Sequence, residues 1–199
     1  MLVGMSVTSE SLTFPNTSPG ELEARATARS MLRAVVQSVE SPGEVLARVN
    51  EALVAEIPPS TFVTCFYGIL DPESGRLRYA NAGHNLPCRR HNGQADELRA
   101  RGMPLGLMPG MGYEEKEAVL EVGDSALFYS DGLVEAHNPQ REMFGVPRLR
   151  GLLAEHDEER SLVDLLMEEL SSFVGGGLGA GGRHHTPYAT TLRILRLNF

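Results

Sequence analysis

The chain has 199 residues, of which 42% are hydrophobic and 22% charged, a composition typical of a globular domain and unlike that of a disordered or fibrous chain. Its 18 basic and 26 acidic side chains give a formal net charge of −8. This disfavours a nucleic-acid partner, because proteins that track phosphates carry a basic surface. No apolar run is long enough to cross a membrane and no secretory signal is readable, so we expect a cytoplasmic protein without a membrane partner.

The N-terminal half begins with an irregular segment and continues into helices. Residues 1–20 are rich in Ser, Thr and Pro without a clear period, and we expect an irregular segment there, followed by one domain over residues 21–199. Residues 21–39 carry helix formers with a regular apolar spacing. The residues Ser-Pro-Gly-Glu at 41–44 predict a capping box that opens a second helix, which ends before Pro58.

After residue 60 the apolar period changes to two, which is typical of strands. Residues 61–70 and 76–80 flank the turn chemistry of 71–75, and this arrangement predicts a β-hairpin. A short strand over 86–91 meets Asn92-Gly93, a tight-turn signal. Further strands are predicted over 113–120, 125–129 and 188–197, with a hairpin turn at Gly123-Asp124 between the first two. Helices are predicted over 147–155 and 161–173, the second opened by a capping box at residues 161–164, and a glycine-rich loop is predicted over 175–182. This order predicts an α+β fold in which helices cover the faces of sheets.

The sequence disfavours two other kinds of site, a serine-esterase site and a zinc site. Residues 123–127 resemble a serine-esterase block, but the histidines near the C-terminus have no acidic residue beside them in the sequence. His84, Cys88 and His91 are zinc-ligand types, yet their spacing fits no usual zinc pattern and an alternating strand would divide them between two faces.

The sharpest chemical signal is a carboxylate at the end of an apolar strand. Residues 128–132 read Phe-Tyr-Ser-Asp-Gly, so the strand delivers Asp131, and Gly132 follows where the backbone can approach a ligand closely. Taken by composition alone, an aspartate in this position is most often a turn former.

A series of short blocks places this aspartate in a wider pattern. In chain order they occupy residues 62–68, 75–85, 104–107, 123–124, 129–136, 138–139 and 144–145. Together, from about residue 24 to residue 173, they resemble the PPM-type, metal-dependent protein serine/threonine phosphatases of the stage II sporulation protein E branch.

The resemblance implies a fold, an activity and a site. The fold is an α+β sandwich of two packed antiparallel β-sheets flanked by helices, and the activity is hydrolysis of phosphoserine or phosphothreonine with two Mg²⁺ or Mn²⁺ ions. By resemblance, Asp131 is a metal ligand with Gly132 beside it. Asn81 and His84 are at a strand end near the position of the family's site, where they would either contact phosphate or stabilise the turn. The implied partner is a phosphorylated protein, such as an anti-sigma-factor antagonist of a bacterial partner-switching pathway.

The chain also departs from the family pattern at both ends. It has no Asp before Asp71, whereas the family opens with strands that carry acidic ligands, so we expect an N-terminally incomplete fold. Residues 184–191 hold no acid where the family places an Asp pair. We therefore expect weak or absent catalysis, and a catalytically degenerate, protein-binding regulatory module is the alternative hypothesis. Because open sheet edges pair with other chains, dimerisation or aggregation is also expected.

Overall fold

The computed structural model describes residues 6–13, 19–59, 61–157, 160–175 and 191–198. The strands are β1 Ser6–Thr13, β2 Cys65–Asp71, β3 Arg76–Ala82, β4 Cys88–His91, β5 Gln94–Glu97, β6 Glu115–Val119, β7 Ser125–Tyr129 and β8 Thr191–Asn198. The helices are α1 Pro19–Val35, α2 Pro42–Glu56, α3 Asp131–Val134, α4 Gly145–Glu155 and α5 Leu162–Phe173. The predicted α+β architecture of two antiparallel sheets flanked by helices is confirmed.

The strands form a five-stranded sheet in the order β1-β8-β7-β4-β5 and a three-stranded sheet in the order β2-β3-β6. All named pairs are antiparallel. The chain divides into two compact units. The first unit contains the five-stranded sheet with α3, α4 and α5, and the second contains the three-stranded sheet with α1 and α2. Each unit has its own hydrophobic core.

The core of the first unit lies between β7 and two helices. Leu127 and Tyr129 of β7 are buried together with Leu149 of α4 and Leu166 of α5. The last helix starts where the sequence predicts, because the Ser161 hydroxyl accepts a hydrogen bond from the backbone N–H of Asp164 at 3.3 Å. Such a cap satisfies one of the donors that a helix leaves unpaired at its first turn.

The core of the second unit forms where α2 lies on β3. Leu46, Val49 and Leu53 are fully buried on one face of α2, and they share a cluster with Ala80 and Ala82 of β3. The spacing of the three helix residues is that of an amphipathic helix with one apolar stripe. Burying these side chains stabilises the unit by about 1.5–3 kcal/mol for each large aliphatic residue.

Helix α1 is amphipathic. Ala24 and Ala28, four residues apart, are buried, whereas Arg25 and Arg29 are exposed. In the described part of the chain, no helix combines the length and the apolar composition that crossing a bilayer would require.

The irregular start predicted for residues 1–20 is wrong over Ser6–Thr13, which forms β1 and pairs with β8 along its whole length. Within that strand Val7 and Leu12 are the only apolar residues, and they stand at positions of opposite parity. No period of two is therefore visible, and the pairing comes from a strand almost 200 positions away in sequence, Val7 opposite Leu197. The boundary between a segment 1–20 and a domain 21–199 otherwise stays a prediction.

Two further differences concern connections. Gly123-Asp124 is a turn, but the strands on either side of it, β6 and β7, belong to different sheets and do not form a hairpin. The short helix α3 has no counterpart in the predicted elements. Most of the predicted glycine-rich loop, residues 176–182, and the first positions of the predicted last strand, residues 188–190, lie outside the described residues.

Candidate functional site

Asp131 stands where β7 leaves the core. Four of the five residues of β7 are buried, and Leu127 and Tyr129 belong to the core of the first unit. The chain then turns at Ser130 into α3, of which Asp131 is the first residue, and Asp131 is exposed. Leu133, two residues on, is fully buried and anchors the helix. The buried residues on both sides of Asp131 thus fix its carboxylate at the surface, at the start of α3.

The carboxylate of Asp131 is partly used by its own helix. Oδ1 accepts a hydrogen bond from the backbone N–H of Gly132 at 2.9 Å. The backbone carbonyl of Asp131 accepts from the N–H of Glu135 at 2.9 Å, and that of Ser130 accepts from Leu133 at 3.1 Å. Among the described residues, Oδ2 of Asp131 has no hydrogen-bond partner, so one oxygen remains available to a ligand.

Gly132 has a helical backbone and not a left-handed one. It lies inside the first turn of α3, and it is absent from the described glycines with a positive φ, which in the first unit include Gly123 at 87° and Gly145 at 77°. The chain direction changes because helix α3 begins there, so glycine is not required at this position by a left-handed backbone.

The described residues do not provide the cluster of acidic ligands around Asp131 that a centre for two divalent cations would need. In the described residues no group of three or more His, Cys, Asp or Glu side chains lies close enough to hold a metal ion. Mg²⁺ requires a near-complete shell of oxygen ligands, and Asp131 supplies one carboxylate. The C-terminal stretch, residues 170–199, contains no acidic residue. The carboxylates whose side chains lie outside the description are Glu10, Glu21, Glu158 and Glu159.

Asn81 and His84 form a closed turn at the end of β3. Asn81 is 3% exposed; its Oδ1 accepts from the backbone N–H of His84 at 2.9 Å, and its Nδ2 donates to the carbonyl of His84 at 2.8 Å. Gly83 between them has a φ of 67°, a conformation that favours glycine. Asn81 therefore holds the turn by both ends of its amide, and Nδ1 of His84 lies 3.2 Å from Oγ1 of Thr64.

The same turn borders a cavity of about 700 Å³ in the second unit. Its wall includes Asn81 and His84 from the turn, Arg101 and Met103 from the following loop, and Glu114. Asp131 belongs to the first compact unit and this cavity to the second.

A pair between the buried Asp124 and the half-buried His91 in the first unit was not predicted. The carboxylate of Asp124 lies 2.9 and 3.0 Å from Nδ1 of His91, and its Oδ2 also accepts from the backbone N–H of Glu121 at 3.0 Å. Asp124 is 4% exposed. The arrangement joins the end of β4 to the start of β7. Asn92 Nδ2 lies 2.9 Å from the other ring nitrogen, Nε2, so the imidazole is held from both sides.

Ser125, the hydroxyl in the esterase-like block, is buried beside this pair. Its Oγ has no hydrogen-bond partner among the described residues and no solvent exposure, so it is not placed as an accessible nucleophile. The three zinc-ligand types are engaged separately. His84 contacts Thr64, His91 contacts Asp124, and Cys88 is buried in the core of the first unit. Burial, followed by the nearby carboxylate of Glu97, raises the pKa of the Cys88 thiol to about 11.

Solved structures with the same fold include PP2C domains. The SiaA-PP2C domain of Pseudomonas aeruginosa aligns with a TM-score of 0.75 at 16% identity, covering 96% of this chain and 80% of that domain. The RsbU and RsbW domains of Rv1364c from Mycobacterium tuberculosis align with a TM-score of 0.70 at 22% identity, covering 98% of this chain and 53% of that one. The fold is therefore that of the PP2C, or PPM-type, phosphatase domains.

Sequence similarity identifies the family to which the chain belongs within this class of phosphatase domains. The phosphoserine phosphatase RsbU of Bacillus subtilis is 29% identical over 119 residues, which make up 58% of this chain and 35% of RsbU. The matched segments of the curated relatives span between 17 and 35% of their lengths. Residues 24–183 match the family described as stage II sporulation protein E. The chain belongs to this family.

Proposed function

We propose that this chain is a protein serine/threonine phosphatase domain of a bacterial partner-switching pathway, and that its turnover as an isolated chain is weak or absent. Its substrate in this proposal is a phosphorylated protein, such as an anti-sigma-factor antagonist. The observation that carries the proposal is the exposed Asp131 at the end of a buried strand, in a chain of the stage II sporulation protein E family. The cytoplasm is the compartment in which such a pathway operates.

Mg²⁺ or Mn²⁺ is the cofactor that the family resemblance implies. Asp131, with the backbone of Gly132 beside it, is the ligand position we propose. Because the described residues supply no companion cluster of carboxylates, we assign no reaction step to a metal pair, and we expect low turnover.

The absence of a companion cluster of carboxylates among the described residues favours a second candidate function. A chain that keeps the fold and lacks further metal ligands can still bind a phosphorylated protein without hydrolysing it. In this alternative it is a catalytically degenerate regulatory module. Both candidates predict recognition of a phosphorylated protein, and they differ in whether phosphate is released.

Phosphate release separates the two candidates. The purified chain is incubated with Mn²⁺ and a phosphoserine protein, and free phosphate is measured for the wild type, for Asp131→Ala and for the control Asp96→Ala. Asp96 is an exposed acid of the same unit that pairs with Arg89 at 2.8 Å. Release by the wild type and by Asp96→Ala above the level of Asp131→Ala supports the phosphatase. Equal release by all three rejects it and leaves the binding module.

Calorimetric titration with Mn²⁺ provides an independent measurement. Tight stoichiometric binding of two ions would reject the degenerate module, whereas the absence of binding would support it.

We also propose a homodimer, because the edge strands of a sheet present backbone groups to a second chain. Sedimentation velocity at several protein concentrations tests this part of the proposal.

A further inference from the structure

We propose that Arg101 and His84 recognise the phosphoryl group of a phosphorylated peptide segment in the cavity beside the Asn81 turn. The inference rests on the proposed function in that it takes the ligand to be a phosphoprotein, and it assigns to that ligand a site in the second unit. It uses neither Asp131 nor a metal ion. The cavity, of about 700 Å³, is a depression that is open to solvent.

The imidazole of His84 is held in position before any ligand arrives. Both backbone groups of His84 are bonded to the buried side chain of Asn81, at 2.8 and 2.9 Å. Its Nδ1 lies 3.2 Å from Oγ1 of Thr64. A side chain fixed in this way loses little conformational entropy on binding, which is the basis of preorganised recognition.

Arg101 contributes a guanidinium on a fixed piece of backbone. Its N–H donates to Oε2 of Glu114 at 2.9 Å, and its carbonyl accepts from the N–H of Glu114 at 3.0 Å. Its side chain is exposed, and among the described residues no acceptor is bonded to its guanidinium. A guanidinium of this kind matches the geometry of a phosphate and can donate two parallel hydrogen bonds to it.

Glu114, the one acid among the described residues of the cavity wall, already has partners within the protein. The hydrogen bond from the Lys116 ammonium, at 2.8 Å, is the main cause of the lowered pKa of Glu114, and the backbone N–H of Arg101 adds to it. Lys116 thus offsets part of the negative charge of Glu114, and the charge of Arg101 makes only the smallest contribution to the lowered pKa of that carboxyl. Removing that carboxylate is expected to strengthen anion binding further.

Met103 favours a peptide over a free anion. It lies in the wall of the same cavity with half of its surface exposed. Methionine is unbranched and adapts to irregular apolar partners. A phosphorylated side chain reaching Arg101 would bring its flanking residues onto this surface, so a phosphopeptide is expected to bind more tightly than inorganic phosphate.

The test measures binding without turnover. Isothermal titration of the full chain, in EDTA at neutral pH, uses a short peptide with a central phosphoserine, the same peptide unphosphorylated, and inorganic phosphate. We expect affinity in the order phosphopeptide, inorganic phosphate, unphosphorylated peptide. Arg101→Gln should weaken phosphopeptide binding about tenfold, equivalent to about 1.4 kcal/mol, and Glu114→Gln should strengthen it several-fold.

Arg99→Gln is the matched control. Arg99 is an exposed arginine two positions before Arg101, and it is not among the residues that line the cavity. Its replacement by glutamine removes one positive charge, as Arg101→Gln does. His84→Gln should also weaken phosphopeptide binding, and it takes the place of Arg101→Gln in the test if that variant proves unstable. Equal effects of Arg101→Gln and Arg99→Gln, or equal binding of both peptides, would overturn the inference.

The outcomes separate this site from the proposed function. Phosphopeptide binding lost in Arg101→Gln, in a chain that releases no phosphate, supports the site and rejects the phosphatase. Phosphate release by a chain whose affinity is indifferent to Arg101 rejects the site and leaves the phosphatase in place.

Discussion

Oε2 of Glu115, in β6, accepts a hydrogen bond from the hydroxyl of Ser41 at 2.6 Å, across 74 positions of sequence. The same oxygen lies 3.3 Å from the backbone N–H of Gly43, in the first turn of α2. Ser41 also accepts from the N–H of Glu44 at 3.2 Å, which is the predicted cap. The side chain of Glu44, expected to reach back toward Ser41, instead pairs with Arg48 at 2.6 Å. A residue of the sheet thus completes the cap of the helix.

Replacing Glu115 should therefore destabilise the second unit. We expect Glu115→Gln to lower the free energy of unfolding by about 1 kcal/mol, because it replaces a charge-assisted hydrogen bond at a helix N-terminus with a neutral one. Glu117→Gln is the control, since Glu117 is on the same strand and makes only an exposed contact with Arg76 at 3.5 Å. Urea denaturation measures both variants. A Ser41→Ala, Glu115→Gln double-mutant cycle with no coupling would contradict the assignment.

The Asp124–His91 pair gives a second stability prediction. Asp124→Ala should lower the free energy of unfolding by about 2 kcal/mol, because the backbone N–H of Glu121 and the imidazole of His91 both lose their acceptor. Asp96→Ala removes an exposed partner of Arg89 and should cost less than about 0.5 kcal/mol. Chemical denaturation followed by circular dichroism compares the two. Similar losses for both substitutions would show that the Asp124–His91 pair adds no stability.

Glycine is required at position 102 and not at position 112, although both line the same cavity. A Cβ on Gly102 would lie 2.2 Å from the carbonyl oxygen of Asn81 and 2.5 Å from the ring of Tyr113, whereas a Cβ on Gly112 meets nothing within 4 Å. We expect Gly102→Ala to destabilise the chain by on the order of 2 kcal/mol and Gly112→Ala to leave it within about 0.5 kcal/mol. Thermal denaturation of the two variants is the measurement, and equal melting temperatures would refute the prediction.

Because the thiol of Cys88 is buried, we expect the free energy of unfolding to fall at alkaline pH. Burial raises the pKa of the thiol from 9.0 to about 11. Between these values the unfolded chain loses the proton while the folded chain keeps it, so the free energy of unfolding should fall as pH rises, by up to about 1.4 kcal/mol per pH unit. Below the lower value this group contributes no slope. Urea denaturation across this range measures the effect, and a Cys88→Ser variant that keeps the same slope would assign it to another group.

Local chemistry predicted much of this fold. The Ser41 and Ser161 caps, the turn at Asn92-Gly93 and the strand over Ser125–Tyr129 follow from interactions within a few residues, and the structure confirms them. The position of Asp131 at a strand end was predicted on the same grounds.

Other features depend on partners that are distant in sequence. The β1 strand is paired by β8, and the cap of α2 is completed from β6. The same holds for the pairing of His91 with Asp124 and for the cavity that brings Arg101 near His84. Hydrogen bonds and charge contacts act over a few ångströms in space. They therefore form only between groups on strands and loops that the fold brings together. The local elements, the family resemblance and the carboxylate at the strand end thus follow from neighbouring residues in the sequence. The exposure and the surroundings of each group follow from contacts between distant parts of the chain.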